Sequence, residues 1–239
     1  MINPQLEQGK QKWYNPSVKI TASALGALAG VSGLISGYYE ILQGDLAPSG
    51  LWNSFIGPSY SMYENGVYEV LTVVPSYYLT GTLALVVSSV ALVWALGFLH
   101  QKHGAPVMLL LAVTQCLVGG AWVLDLGIFT SILATRINNP LDWWRTHLPE
   151  KAQKILAQLW HWSVVAYSIL SVMLLGATVL GVDNKSVVDL VIMIASAMII
   201  PIPLMIVGGI ARDIQQRMKR DQKSHVVSHQ ADLLHNITS

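Results

Sequence analysis

Charge is what this sequence has least of. Only 11% of its 239 residues are Asp, Glu, Lys or Arg, while 53% are hydrophobic and the mean hydropathy is +0.49. Soluble domains carry about 25% charged residues, and so few charges cannot cover a globular surface with polar side chains. Lipid must therefore be the solvent for much of the chain. Cysteine is nearly absent as well. Cys116 stands alone in an apolar run, which excludes an internal disulfide framework and a CxxC metal site. No GxSxG, HExxH, P-loop or dinucleotide fingerprint occurs, so no standard catalytic framework is available and an enzymatic role is the less favoured reading. No cofactor is expected. The net charge of +1, without a basic stripe beyond what flanks the apolar runs, argues against nucleic acid as a partner. No small-residue cleavage site follows the first lysines, and no removable signal is expected.

Long apolar runs take the place of charge. Ile20 to Tyr39 has no charged residue over 20 positions, enough to cross a hydrocarbon core of about 30 Å. Gly26, Gly30, Gly33 and Gly37 fall on one face of that helix, a pattern that admits a second backbone at close range. Residues 43–74 form a loop rich in Pro, Gly and aromatics, with the acids Asp45, Glu64 and Glu69 and no Lys or Arg, so it reads as an outer loop. With Glu40, these acids suggest a vestibule that concentrates cations, or merely a soluble loop. Pro75 to Leu99 is the second span. Pro106 to Thr135 is apolar except for Asp125, and a straight helix of that length would reach about 45 Å, well beyond the core. Gly119 and Gly120 lie near its middle, where a helix is weakest, which suggests a hairpin of two short arms. Arg136 to Lys154 suits a loop along the headgroups. Ile155 to Val182 and Val187 to Ala211 are the last spans, the second broken by Pro201 and Pro203.

Basic residues discriminate between topologies, because they collect on the cytoplasmic side. Five plain crossings split the 14 Lys and Arg nine to five whichever way the chain is inserted. If the third apolar segment turns back, all 14 except Lys185 fall on the side of both termini. The fold expected is therefore all-α: a polytopic membrane helix bundle with four full spans and a hairpin, five transmembrane helices being the alternative. Residues 1–19 form a cytoplasmic N-terminal segment, 20–211 the bundle, and 212–239 a cytoplasmic C-terminal tail whose first residues can continue the last helix.

Few residues invite chemistry. Asp125 is the one acid inside an apolar run, and a carboxylate in a bilayer costs roughly 3 kcal/mol or more. It is a proton or cation relay, a protonated acid hydrogen-bonded to a neighbouring helix, or an acid near a hairpin apex in contact with water. Pro201 and Pro203 free backbone carbonyls that can coordinate a cation, although ordinary kinks arise the same way. His100, His103 and His161 are the candidate metal ligands, with unpaired interfacial histidines as the bland reading.

The stretches Glu40 to Gly50, Val74 to Gly81 and Ala134 to Asn138 resemble a group of prokaryotic multi-pass membrane proteins without an assigned activity. The resemblance spans much of residues 20–140. It implies the inner membrane of a prokaryote and points to the outer loop and the Gly119-Gly120 region as distinctive, but it transfers no functional residue. Three functions remain in competition: a small transporter or channel-type subunit with Asp125 in its path, a scaffold or assembly subunit, and a His-based metal or redox protein. Membrane lipid is one expected partner. A homo-oligomer or other membrane subunits are the expected protein partners, with the glycine face of the first span as one interface.

Overall fold

The computed structural model describes residues 13–45, 47, 51–54, 69–71, 73–119, 123–180 and 185–238, with side chains described for all of these except 52–54, 69–70, 123, 180, 185–188 and 223–238. It is an all-α bundle. The helices are α1 (Pro16–Leu42), α2 (Tyr77–Gly97), α3 (Gly104–Leu117), α4 (Val123–Ala134), α5 (Asp142–His147), α6 (Glu150–Leu180), α7 (Lys185–Ala197) and α8 (Pro201–Thr238). Two short strands, β1 (Trp52–Ser54) and β2 (Glu69–Leu71), pair antiparallel between α1 and α2. Four stretches are long and apolar enough to cross a membrane: Pro16–Leu42, Tyr77–Gly97, Glu150–Val179 and Asp189–Gln222.

α1 is the axis of the bundle and touches α2, α4, α6 and α8. Its glycines are fully used within the chain. A Cβ on Gly26 would stand 2.7 Å from the Ala95 Cβ, one on Gly30 2.8 Å from the Leu92 Cβ, and one on Gly37 2.8 Å from the Gly81 carbonyl oxygen. Gly33 faces Ser88 in the same antiparallel register. The face read as an oligomer interface is thus filled by the chain's own α2 and leaves no room there for a second copy. Small residues pack inside (Ala22, Ala29, Ala84, Ala91 and Ala95 are buried), whereas Val86, Val90, Val93 and Leu96 of α2 are exposed. In water that distribution would be unfavourable; against lipid it costs nothing, because packing rather than water exclusion holds the helices together.

The third apolar segment turns back. α3 and α4 have only 14 and 12 residues, about 21 and 18 Å of helix, so neither crosses a core of about 30 Å. They lie antiparallel, so close that a Cβ on Gly127 would collide with Ala112. Both open ends return to the start of α1. There the Asn15 backbone N–H donates to the Ile137 carbonyl at 2.8 Å, and the Asn15 amide donates to the carbonyls of Arg136 (2.6 Å) and Asn139 (2.9 Å). The Asn138 amide donates to the His100 carbonyl at 2.6 Å. A single tilted helix, and with it the five-span alternative, is incompatible with these contacts.

Three boundaries differ from the sequence reading. α1 begins at Pro16, four residues before the apolar run, because proline is preorganised for the first helical position and its missing N–H is not needed there. α6 begins at Glu150, inside the stretch read as a headgroup loop, since polarity alone does not stop a helix. The last helix enters the stretch read as a tail, as its first residues allowed, but runs through it to Thr238, and Asp213 and Ile214 are buried against the bundle.

Candidate functional site

The hairpin gives the bundle two chemically different ends. The end where α1 starts carries Lys19, Lys102, Arg136, Arg145, Lys151, Lys154, Arg212, Arg217, Lys219 and Arg220. At the opposite end the hairpin tip meets the last turn of α1, and here lies Glu40.

Glu40 has no exposed surface, and among the described residues neither carboxyl oxygen has a hydrogen-bond partner. Three features enclose it. Gly81 of α2 stands against it so closely that a Cβ there would be 2.9 Å from the Glu40 Cβ. Gly119 forms the tip of the hairpin with φ +94°, a left-handed conformation open to glycine and strained in other residues. A Cβ on Gly119 would sit 2.6 Å from the Glu40 carboxyl carbon and 2.8 Å from its Oε2. Finally, the Gly119 N–H is already engaged: it donates to the Leu71 carbonyl of β2 at 3.1 Å, which ties β2 to the tip and withholds that donor from the carboxyl. Burying a carboxyl group without a partner costs several kcal/mol, and such a group calls for an explanation.

Two turns further into the bundle, a second polar pair is buried on the same side of α1. The Gln115 amide of α3 donates to the Ser88 hydroxyl of α2 at 2.9 Å, while the Gln115 Oε1 has no partner among the described residues. Gly33 makes room for both, since a Cβ on it would lie 2.7 Å from the Gln115 Nε2. The hairpin thus inserts polar groups from its tip and first arm between α1 and α2.

The strain at the tip yields a stability prediction. Gly119→Val should destabilise the protein by roughly 3 kcal/mol or more, combining a β-branched residue at positive φ with a collision against Glu40. Adding Glu40→Ala should recover part of that loss, and a double-mutant cycle of unfolding in detergent would read the coupling. Additive effects would mean that the tip does not rest on Glu40.

No family model, no curated protein and no solved structure matches this chain. The resemblance noted in its sequence therefore assigns no family, and the site rests on its own geometry.

The residues singled out from sequence are placed as follows. Asp125 is exposed in the first turn of α4, not buried within the bundle. Gly120 lies outside the described residues, as does Glu64 of the suggested vestibule. Asp45 accepts a hydrogen bond from the Ser76 hydroxyl at 2.7 Å. Pro201 and Pro203 lie in the first turn of α8, after a break at residues 198–200, so they start a new helix and do not kink a continuous one. His100 and His103 are exposed near the turn between α2 and α3, whereas the His161 ring lies against Arg212. Among the described residues, no group of three His, Cys, Asp or Glu side chains is arranged to hold a metal.

Two residues escaped the sequence reading. Glu40 was grouped with the loop acids because it ends the apolar run, yet it continues the spacing of Gly26, Gly30, Gly33 and Gly37 by three more positions, which places it on the buried face. Asp213 is also buried, and its carboxylate accepts the backbone N–H groups of Ser17 (3.0 Å) and Val18 (2.9 Å). It closes the first turn of α1 from another helix, in place of Asn15, whose side chain makes no capping bond to α1. Nothing local in the sequence pairs position 213 with position 17.

Proposed function

We propose that the chain is a small transporter or channel-type subunit that handles protons or cations, with Glu40 as the group that binds them. The carrying observation is the fully buried carboxyl of Glu40, without a partner among the described residues, beneath the tip of a re-entrant hairpin. Ionisable groups at membrane depth mark ion and proton paths more often than they stabilise a fold. A helix pair that enters and leaves on one side is also a means of bringing polar backbone and side chains to that depth. The buried Gln115 and Ser88 supply further polar groups on the same side of α1. Flux into proteoliposomes, compared between the native chain and Glu40→Gln, tests the reading. A scaffold subunit asks nothing of Glu40 and would carry no flux.

The proposal includes an orientation. The basic end faces the cytoplasm, in a prokaryotic inner membrane, and the Glu40 end faces outward, in keeping with the bias of Lys and Arg toward the cytoplasmic side. Single cysteines placed at Arg145 and Ser186 in a Cys116→Ser background provide the check. An impermeant thiol reagent added outside cells should label position 186 and spare position 145. The opposite pattern would invert the protein and put the Glu40 site on the cytoplasmic face.

A further inference from the structure

A groove of about 750 Å³ runs between α6 and α8 at the basic end. Lys154, Gln158 and His161 line it from α6, and Arg212, Gln215 and Lys219 from α8. Among the described residues no carboxylate lines it and none forms an ion pair with Lys154, Arg212 or Lys219, although the charge of Arg212 is felt by its neighbour Asp213, which turns away to the start of α1. The Arg212 guanidinium is held by rings: it lies over Trp160, 4.5 Å from the ring centroid, with Nη1 2.7 Å from the His161 Nδ1. A cation stacked on an indole keeps its charge and its remaining N–H donors available to an anion.

The groove does not end in water alone. Trp162, on its rim, is 74% exposed, as befits an indole at a membrane interface. From there an apolar stripe follows one face of α6: Ile155, Leu159, Trp162, Val165, Ile169 and Val172 are all exposed and spaced three or four residues apart. Basic groove and apolar stripe together match the two parts of one molecule, an anionic headgroup and an acyl chain.

We propose that this groove binds the headgroup phosphate of an anionic phospholipid, with Arg212 and the two lysines on the phosphate, the glutamines on its ester and glycerol oxygens, and the acyl chain along the α6 stripe. The lysines suit a phosphate as point charges, and Arg212 adds directed donors. A free inorganic anion would need the groove but not the stripe.

The test uses the full chain extracted from bilayers of mixed phosphatidylglycerol and phosphatidylcholine, with retained lipid read by native mass spectrometry. The native protein should keep phosphatidylglycerol in preference. Lys154→Gln combined with Lys219→Gln should weaken that preference by roughly 30-fold, the effect of two lysines at an anionic surface. Both lysines are exposed, so melting in pure phosphatidylcholine should be unchanged, and Lys→Arg at both positions should restore the preference. Equal retention of the two lipids by the native protein would overturn the proposal, as would an unchanged preference in the double variant. Displacement of phosphatidylglycerol by millimolar inorganic phosphate would overturn the lipid assignment in favour of a soluble anion.

Discussion

Glu40→Gln, reconstituted in proteoliposomes, is expected to bring proton- or cation-driven flux down to the level of protein-free vesicles while the fold survives. The substitution preserves side-chain shape but removes the group that can gain and lose a proton or face a cation with full charge. It breaks no hydrogen bond to the described residues, because the carboxyl oxygens make none with them. Melting in detergent should therefore stay close to that of the native chain, which separates loss of transport from loss of structure. The informative control is Asp125→Asn. Composition alone makes Asp125 the intramembrane acid to test, yet it lies exposed on α4, so flux should persist in that variant. Full flux in Glu40→Gln, or its loss in Asp125→Asn alone, would move the path to the exposed side of the hairpin. Flux no higher than that of empty vesicles in the native protein, with any ion gradient, would favour the scaffold reading.

Asp213→Ala should cost about 3 kcal/mol of stability, measured by unfolding in mixed detergent. Two backbone N–H groups in the first turn of α1 would lose a charged acceptor within a buried site, and the favourable interaction of that charge with the helix N-terminus would go with it. Asp213→Asn keeps one acceptor oxygen and should lose about half as much. The contact between the Arg217 guanidinium and the Trp13 ring, 3.5 Å from the centroid, depends on the same docking of α8 on the start of α1 and should loosen in parallel. Truncation after Ala211 supplies a second test. If residues 212–239 were a solvated tail, their removal would be silent; because they carry the cap of α1, removal should cost at least as much as Asp213→Ala. A truncated chain as stable as the native one would show that α1 needs no cap from α8.

Much of the architecture was legible in the order of residues, for definite reasons. An uncharged run of some 20 positions can only be satisfied as a helix in lipid, because no water is present there to serve its backbone groups. The fold-back of residues 106–135 followed from length: the run is too long for one crossing and carries its weakest helix formers in the middle. The distribution of Lys and Arg then favoured that arrangement over five plain spans. The glycine face of α1 was recognisable from spacing alone, although its partner was not. Spacing shows that something approaches closely, and only the packed chain shows that α2 does.

The sites divide along the same line. Asp125 stands out in the sequence because its neighbours are apolar, but apolar neighbours in sequence do not enclose a side chain on a helix that faces outward. Glu40 looks ordinary in sequence because polar residues follow it; it is buried because Gly119, almost 80 positions later, returns to cover it. Asp213 caps a helix by accepting from Ser17, 196 residues earlier in the chain. The sequence by itself determined a membrane bundle with a turned-back segment, since hydropathy, length and charge bias act locally and need no knowledge of neighbours. Which polar groups are shut away from both water and lipid was decided by tertiary structure alone, because burial is a property of the elements that close over a side chain, and these come from distant parts of the chain.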